Sequence, residues 1–556
     1  MPKSLLQQSR EAAADGRWNE ARDLLKQQLE ESPSAEALEE IASTCWWLND
    51  FNEVFHYRLE AYEAFVQVSD IKGAARNACW LGMDYLQIKG ELAIANGWLQ
   101  RATNLLSKAG ECWELAFITL LKARICFMQH PTNDAALQLV EESLSISKRV
   151  GSIEGEMMAT GVKGLILTTE GKIREAMSYL DEATLLATTG KVKDFAIAGI
   201  TCCILIEACK SIRDLERAGQ WCRQLKEMAH RWHCDMLFSS CRIQYASVLI
   251  WKGEWEAAEQ ELMIVAGEVE HLHPTHASML LVQLAELRRK QGRWIEANDL
   301  LQQAQVPFIK LLTCAAFAYD QGELEMAGDL VLRYLRQIPS KAKISKVAAL
   351  ELLIRIYSKQ RRIEDATNVV NEFEEITAII NTEPVKASLL VCRGIGQDAC
   401  GDAAAARQYF EDAIDIYDTI GVPFESAATR ILLSEVLISQ KQYRNAESEL
   451  ITALKVFQRM GAEKHTEKIK QLLKTARRQQ VLEQRHEVPE FTGRELEILR
   501  LISEGRNNKA IAQQLFLSVR TVEKHLANLY LKMGVYGKSA RAFAASYAVK
   551  KNLFIS

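Results

Sequence analysis

Arg520, Glu523, Lys524 and Ala527 stand at i, i+3, i+4 and i+7. On a helix that spacing puts all four on one face. An ammonium, a carboxylate and a methyl in one patch supply a donor, an acceptor and an apolar contact. Val522, Leu526, Leu529 and Met533 follow at spacings of 4, 3 and 4 and form a stripe on the opposite side. Thr521, His525, Asn528 and Lys532 lie along one flank. A helix held by one apolar stripe, with small and polar residues opposite, fits the width of a DNA major groove.

Such a helix must be held from outside itself, and the preceding residues provide the elements. Phe491-Thr492-Gly493-Arg494-Glu495-Leu496 is a helix start: Thr492 caps, Glu495 reaches back as a capping box, and Phe491 and Leu496 stand at staple positions. Ile498, Leu499 and Ile502 continue the stripe to a stop at Gly505. Asn507 caps a second helix with Ile511, Ala512 and Leu515, and Ser518 caps the third, which runs to about Met533. The stretch from about 508 to 527 is thus two helices joined by a tight turn.

From Phe491 to Val535 the chain is similar to the LuxR-type helix-turn-helix. The matching positions are Thr492, Arg494 and Glu495; Gly505; Asn508, Lys509, Ile511 and Ala512; Leu515 and Ser518; Thr521, Val522, Lys524 and His525; and Lys532 to Val535. The resemblance implies a four-helix DNA-binding domain whose third helix reads the major groove of double-stranded DNA. It implies a fourth helix, near Lys538 to Lys550, that supports a homodimer on DNA. By position, Glu523, Lys524 and Ala527 face the bases, while Lys509, Arg520, Thr521, His525 and Lys532 contact the backbone and position without specifying. With Ser518, Val522 and Asn528 these make up the expected DNA-binding set. Glu523 stands where many family members have a basic residue, and Lys538 where an arginine is usual.

Residues 1–480 show one motif repeatedly: a small or polar turn residue, an aromatic or aliphatic residue two positions on, and usually a small residue three further on. It occurs at Gly16, Asn49, Gly90, Gly171, Arg213, Gly253, Gly292, Gly322, Arg361, Gly401 and Lys441, with a weaker copy around Ala135, mostly 39–42 residues apart. Each unit reads as a helix pair that buries its apolar face only by stacking on its neighbours. Gly292 and Gly322 are only 30 apart, which predicts a shortened helix or a bend. The pattern resembles the tetratricopeptide repeat, and its longer period resembles the sensor segment of the large maltose-regulon activators.

The expected architecture is all-α: a tetratricopeptide-like α-solenoid of about twelve helix pairs over 1–480, a linker over 481–489 ending at Pro489, and a four-helix LuxR-type domain over 490–556. The whole chain of 556 residues carries a net charge of −4. Residues 490–556 hold 11 Lys and Arg against 5 Asp and Glu, a net +6 that leaves −10 on the rest. A basic tail on an acidic body suggests that the two parts meet different partners.

The sequence offers little other chemistry. No apolar run is long enough for a membrane span, and the N-terminus has no signal-peptide core, so a cytoplasmic location is expected. The 13 cysteines show no zinc or framework spacing and read as buried free thiols. His271, His273 and His276 around Pro274 read as a solvated turn, not a metal site. Trp46, Trp47, Trp80, Trp113, Trp232 and Tyr245 read as packing residues.

Gly534 to Ser539 ends like a phosphate-binding loop but has the wrong glycine spacing. No receiver-like βα alternation or strand periodicity appears. Neither an enzyme nor a cofactor is therefore expected. The expected function is sequence-specific transcription regulation, with the repeats sensing a small effector or protein partner and the tail meeting DNA and the transcription machinery. The alternative is an interaction scaffold with a LuxR-like tail.

Overall fold

The computed structural model describes residues 3–48, 50–107, 109–129, 134–188, 192, 195–231, 239–267, 274–340, 342–486, 491–537, 539–550 and 553. Asn49, Trp232, His271, His273, Pro489 and Lys538 lie outside the described residues. The chain divides into two compact units, Met1–Leu472 and Leu473–Ser556. Every regular element among the described residues is helical.

The first unit is built of antiparallel helix pairs. In order they are Leu5–Ala14 with Trp18–Glu31 (α1, α2), Ala35–Trp47 with Phe51–Gln67 (α3, α4), Ile71–Asp84 with Leu92–Leu106 (α5, α6), and Trp113–Gln129 with Asp134–Val150 (α7, α8). Then come Ile153–Thr169 with Ile173–Thr188 (α9, α10), Phe195–Ser211 with Leu215–Arg231 (α11, α12), Ser239–Lys252 with Trp255–Ala266 (α13, α14), and Pro274–Gln291 with Trp294–Gln303 (α15, α16). The last are Pro307–Gln321 with Leu324–Gln337 (α17, α18), Val347–Lys359 with Ile363–Ile380 (α19, α20), Glu383–Cys400 with Ala403–Thr419 (α21, α22), and Pro423–Ser439 with Tyr443–Met460 (α23, α24). This is the tetratricopeptide-like α-solenoid.

The repeated motif explains the pairing. At the described anchors other than the weak copy around Ala135 the turn residue takes a left-handed backbone, from φ 56° at Arg213 to φ 89° at Gly401. The residue two positions on opens the second helix, as Trp18, Trp255, Trp294 and Tyr443 do. The alanine three further on sits where two helices touch: Ala21, Ala95, Ala176, Ala258 and Ala446 are all fully buried. A larger side chain there would overpack the contact at about 1–3 kcal/mol. The short spacing after Gly292 corresponds to α16, which has only 10 residues where α18 has 14.

The described aromatics pack as expected. Trp47 stacks on Trp18 at 4.8 Å and meets Trp46 edge-on at 5.4 Å. Trp80 and Trp113 both meet Phe117, at 5.2 and 5.6 Å. One expectation fails. The described cysteines are not all free, because Cys203 on α11 and Cys241 on α13 form a disulfide with their Cα atoms 5.3 Å apart. Their separation of 38 residues is one repeat, which places them at equivalent points of successive first helices.

The stack of pairs also coils back on itself. Thr382 Oγ1 donates to the Ile212 carbonyl at 2.7 Å across 170 residues. Phe424 meets Trp255 at 5.3 Å, and the Lys464 ammonium lies 4.7 Å from the Trp294 ring. In each case the partner is nine helices further along the chain. Arg213 joins the same seam, its guanidinium paired at 2.6 and 2.7 Å with the two Glu351 oxygens.

The array passes into a 24-residue helix, Glu463–His486 (α25). Residues 481–486 are therefore helical, not linker. The second unit goes on with Gly493–Ser503 (α26), Asn508–Gln514 (α27), Val519–Lys532 (α28) and Ala540–Lys550 (α29).

Candidate nucleic-acid interface

The helix that presents the candidate residues is α28, and its start is fixed by its own sequence. Ser518 has an extended backbone, and its hydroxyl accepts from the Thr521 N–H at 3.1 Å and meets the Thr521 hydroxyl at 2.7 Å. Thr521 is thus half-buried and already engaged by the cap. The turn before it is tight. Phe516 takes φ 56° and leaves its ring 96% exposed. Leu517 N–H closes onto the Ala512 carbonyl at 2.8 Å, and Arg494 donates to the Leu515 carbonyl at 2.5 Å.

Two small cores clamp the inner side of α28. Val522 and Leu526 pack with Ile498, Leu501, Ile502, Ile511 and Ala512. Leu529 packs with Leu499, Ala544 and Ala548, and Phe491 and Met533 close over that group. Val522 is fully buried, so its place in the site is to anchor the helix. Phe491 at the staple position goes into the second of these cores.

With that side buried, the opposite face is left to solvent. Arg520, Glu523, Lys524, Ala527 and Asn528 are exposed, and His525 is half-buried on the flank. Ser518 and Lys509 are exposed as well. One neighbour was missed by sequence reasoning. Leu531, four residues after Ala527, is 63% exposed and extends the same face. Its position relative to Ala527 was the available signal.

Lys532 has a structural partner. Its ammonium donates to Glu495 Oε2 at 2.6 Å. Glu495 is 3% exposed, and the same oxygen accepts the Thr492 N–H at 2.7 Å while Thr492 Oγ1 accepts the Glu495 N–H at 3.3 Å. The capping box at the start of α26 and the last turn of α28 therefore share one carboxylate. Burial would raise its pKa, but the bonds from Lys532 and Thr492 outweigh burial and hold it below its ordinary 4.5.

Asn507 caps α27 by accepting from the Ala510 N–H at 2.9 Å. A second tie, also missed from the sequence, comes from α29. Arg541 donates to Asn508 Oδ1 at 2.6 Å and to the Arg506 carbonyl. The arginine fork thus fixes the start of α27 against the fourth helix. Helices α26 to α29 are cross-tied, and the large polar face left on α28 is the outward one.

Residues 489–545 match a family model described as "Bacterial regulatory proteins, luxR family". The chain is 46% identical over 63 residues to "Transcriptional regulatory protein LiaR" of Bacillus subtilis (strain 168), which covers 11% of this chain and 28% of that protein. It is 48% identical over 60 residues to "Oxygen regulatory protein NreC" of Staphylococcus aureus (strain JH9), covering 11% and 26%. The chain thus spans little more than a quarter of the length of these relatives. Among solved structures, a chain of "Crystal structure of APC/C hetero-tetramer Cut9-Hcn1" aligns over 85% of this chain and 96% of its own length, at 13% identity and a TM-score of 0.42. The C-terminal segment is a helix-turn-helix domain of the luxR type, set after a tetratricopeptide-like helical array.

Proposed function

We propose that the protein is a sequence-specific DNA-binding transcription regulator, with double-stranded DNA bound by α28. The observation that carries this reading is the face of α28. Arg520, Glu523, Lys524 and Ala527 are exposed together on a helix locked from behind by two cores, two caps and the Glu495–Lys532 pair. A helix about 10–12 Å across with its side chains fits a major groove of similar width. Two relatives of this segment are named as regulatory proteins, which supports the same reading.

In this reading Glu523, Lys524 and Ala527 read base edges. Lys509, Arg520 and His525 meet phosphates, and Ser518, Thr521, Val522 and Lys532 hold the helix in register. The array senses a small effector or a protein partner, as its likeness to the maltose-regulon sensor segments suggests, and the effector acts by favouring one state of the chain. Binding as a homodimer on paired half-sites follows from the luxR resemblance.

Footprinting with the full chain on genomic fragments tests the proposal. A protected site lost with Lys524→Ala is the expected result. Capture of protein partners by the array with no protected DNA would instead favour the scaffold reading.

A further inference from the structure

The seam between successive turns of the array collects charge. Arg213 pairs with Glu351, which also accepts from the Ser388 hydroxyl. Lys290 donates to Glu425 at 3.1 Å and lies 3.9 Å from the Phe424 ring. Arg355, on α19 one turn after Glu351, is the exception. The residue is half-buried and, among the described residues, its guanidinium makes no hydrogen bond and no ion pair. Glu351 and Glu425 influence it electrostatically, as does Tyr319, but both carboxylates are already committed to Arg213 and Lys290.

Burial disfavours its charge, but the negative groups around it outweigh burial and keep it charged, with no hydrogen-bonding partner for its fork. Its planar fork matches a carboxylate or phosphate through two parallel N–H···O bonds, which a lysine could not provide. The aromatic faces nearby are already covered by cations, Trp251 by the Arg213 guanidinium at 4.4 Å and Tyr319 by the Lys359 ammonium at 3.9 Å. An arginine fork without a partner, beside carboxylates already committed, selects a small molecule with one anionic group.

We propose that the inter-turn seam around Arg355 binds a small organic anion, a carboxylate or a phosphate monoester, with Arg355 holding the anionic group. This rests on the reading that the array is the sensing part of a regulator, and it names the chemical class of effector. The seam joins residues of two turns, so an anion held there would favour the closed coil over an opened one.

Thermal unfolding of the full chain, at constant ionic strength, tests the site with three probes: benzoate, inorganic phosphate and neutral benzamide. The expected result is a concentration-dependent rise in Tm with benzoate or phosphate and none with benzamide. Benzoate alone identifies a carboxylate ligand, and phosphate alone a phosphate ligand. The apparent Kd should weaken at least tenfold in Arg355→Gln and less in Arg355→Lys. No shift with either anion, or an equal shift in both variants, overturns the proposal. Specific DNA binding by the same preparations separates the two readings. If DNA binding persists without an anion response, only the anion site falls; if the anion response persists without DNA binding, only the regulator reading falls.

Discussion

In the proposed reading two exposed side chains, Lys524 and Glu523, would discriminate between base pairs in different ways. A good base-edge contact is worth about 1–3 kcal/mol, or roughly ten- to a hundredfold in affinity. Lys524→Ala should lose that much on the specific site while keeping most of its binding to unrelated DNA, as a gel-shift titration on both would show. Glu523→Gln should instead relax the preference at one position with a smaller loss of overall affinity.

The carboxylate of Glu495 makes a separate prediction. Its lowered pKa contributes stability that is complete above its ordinary 4.5 and is lost as the pH falls through its lower folded value. Glu495→Gln should destabilise the second unit at neutral pH and flatten that acid limb, as chemical unfolding followed by circular dichroism would show. An unchanged acid limb would mean that the Lys532 and Thr492 bonds contribute nothing to it.

At the scale of elements, the turns that lack glycine are the informative ones. Arg213, Arg361 and Lys441 take φ values of 56–62°. A left-handed non-glycine residue costs about 1–2 kcal/mol. At Arg213 the side chain, itself nine-tenths buried, offsets that strain by pairing with Glu351, and at Arg361 it reaches the Ala399 carbonyl at 2.9 Å. Arg213→Gly would relieve the turn but strand Glu351, so a net loss of about 2–3 kcal/mol is expected in chemical unfolding. A gain in stability would show that the ion pair is worth less than the strain.

The last repeat should respond to acid for a different reason. Burial between Phe457 and Phe424, with Lys290 and Arg289 nearby, lowers the His465 pKa from 6.5 to about 4. The unfolded chain then binds the proton first. That stability is complete above pH 6.5 and declines as the pH falls towards 4, by about 2–3 kcal/mol. His465→Phe should remove this decline from the pH dependence of Tm.

The elements themselves were largely legible. The turn-aromatic-alanine spacing marked the starts of α2, α14, α16 and α24, and the caps at Thr492, Asn507 and Ser518 marked three helices of the tail. The Cys203–Cys241 bond and the Arg541 and Lys532 ties were not legible, because each joins helices whose facing sides no local periodicity specifies.

For the whole molecule, what sequence could not reveal is the closure of the array. Contacts across about 170 residues, such as Thr382 to Ile212, leave no mark on a repeat of about 40. They depend on the small rotation from each pair to the next, accumulated over nine helices. Closure is what brings Arg213 beside Glu351 and Lys290 beside Glu425. The division of charge, −10 on residues 1–489 and +6 on residues 490–556, fits an array that avoids DNA and a tail that seeks it.

The most direct measurement is nuclease footprinting with the full chain, repeated with Lys524→Ala and over a range of salt. The account predicts a discrete protected site for the wild type, loss of that protection in the variant, and affinity that falls steeply with salt in both. Protection that is identical in the variant, or binding that shows no preferred sequence at any salt, would contradict it.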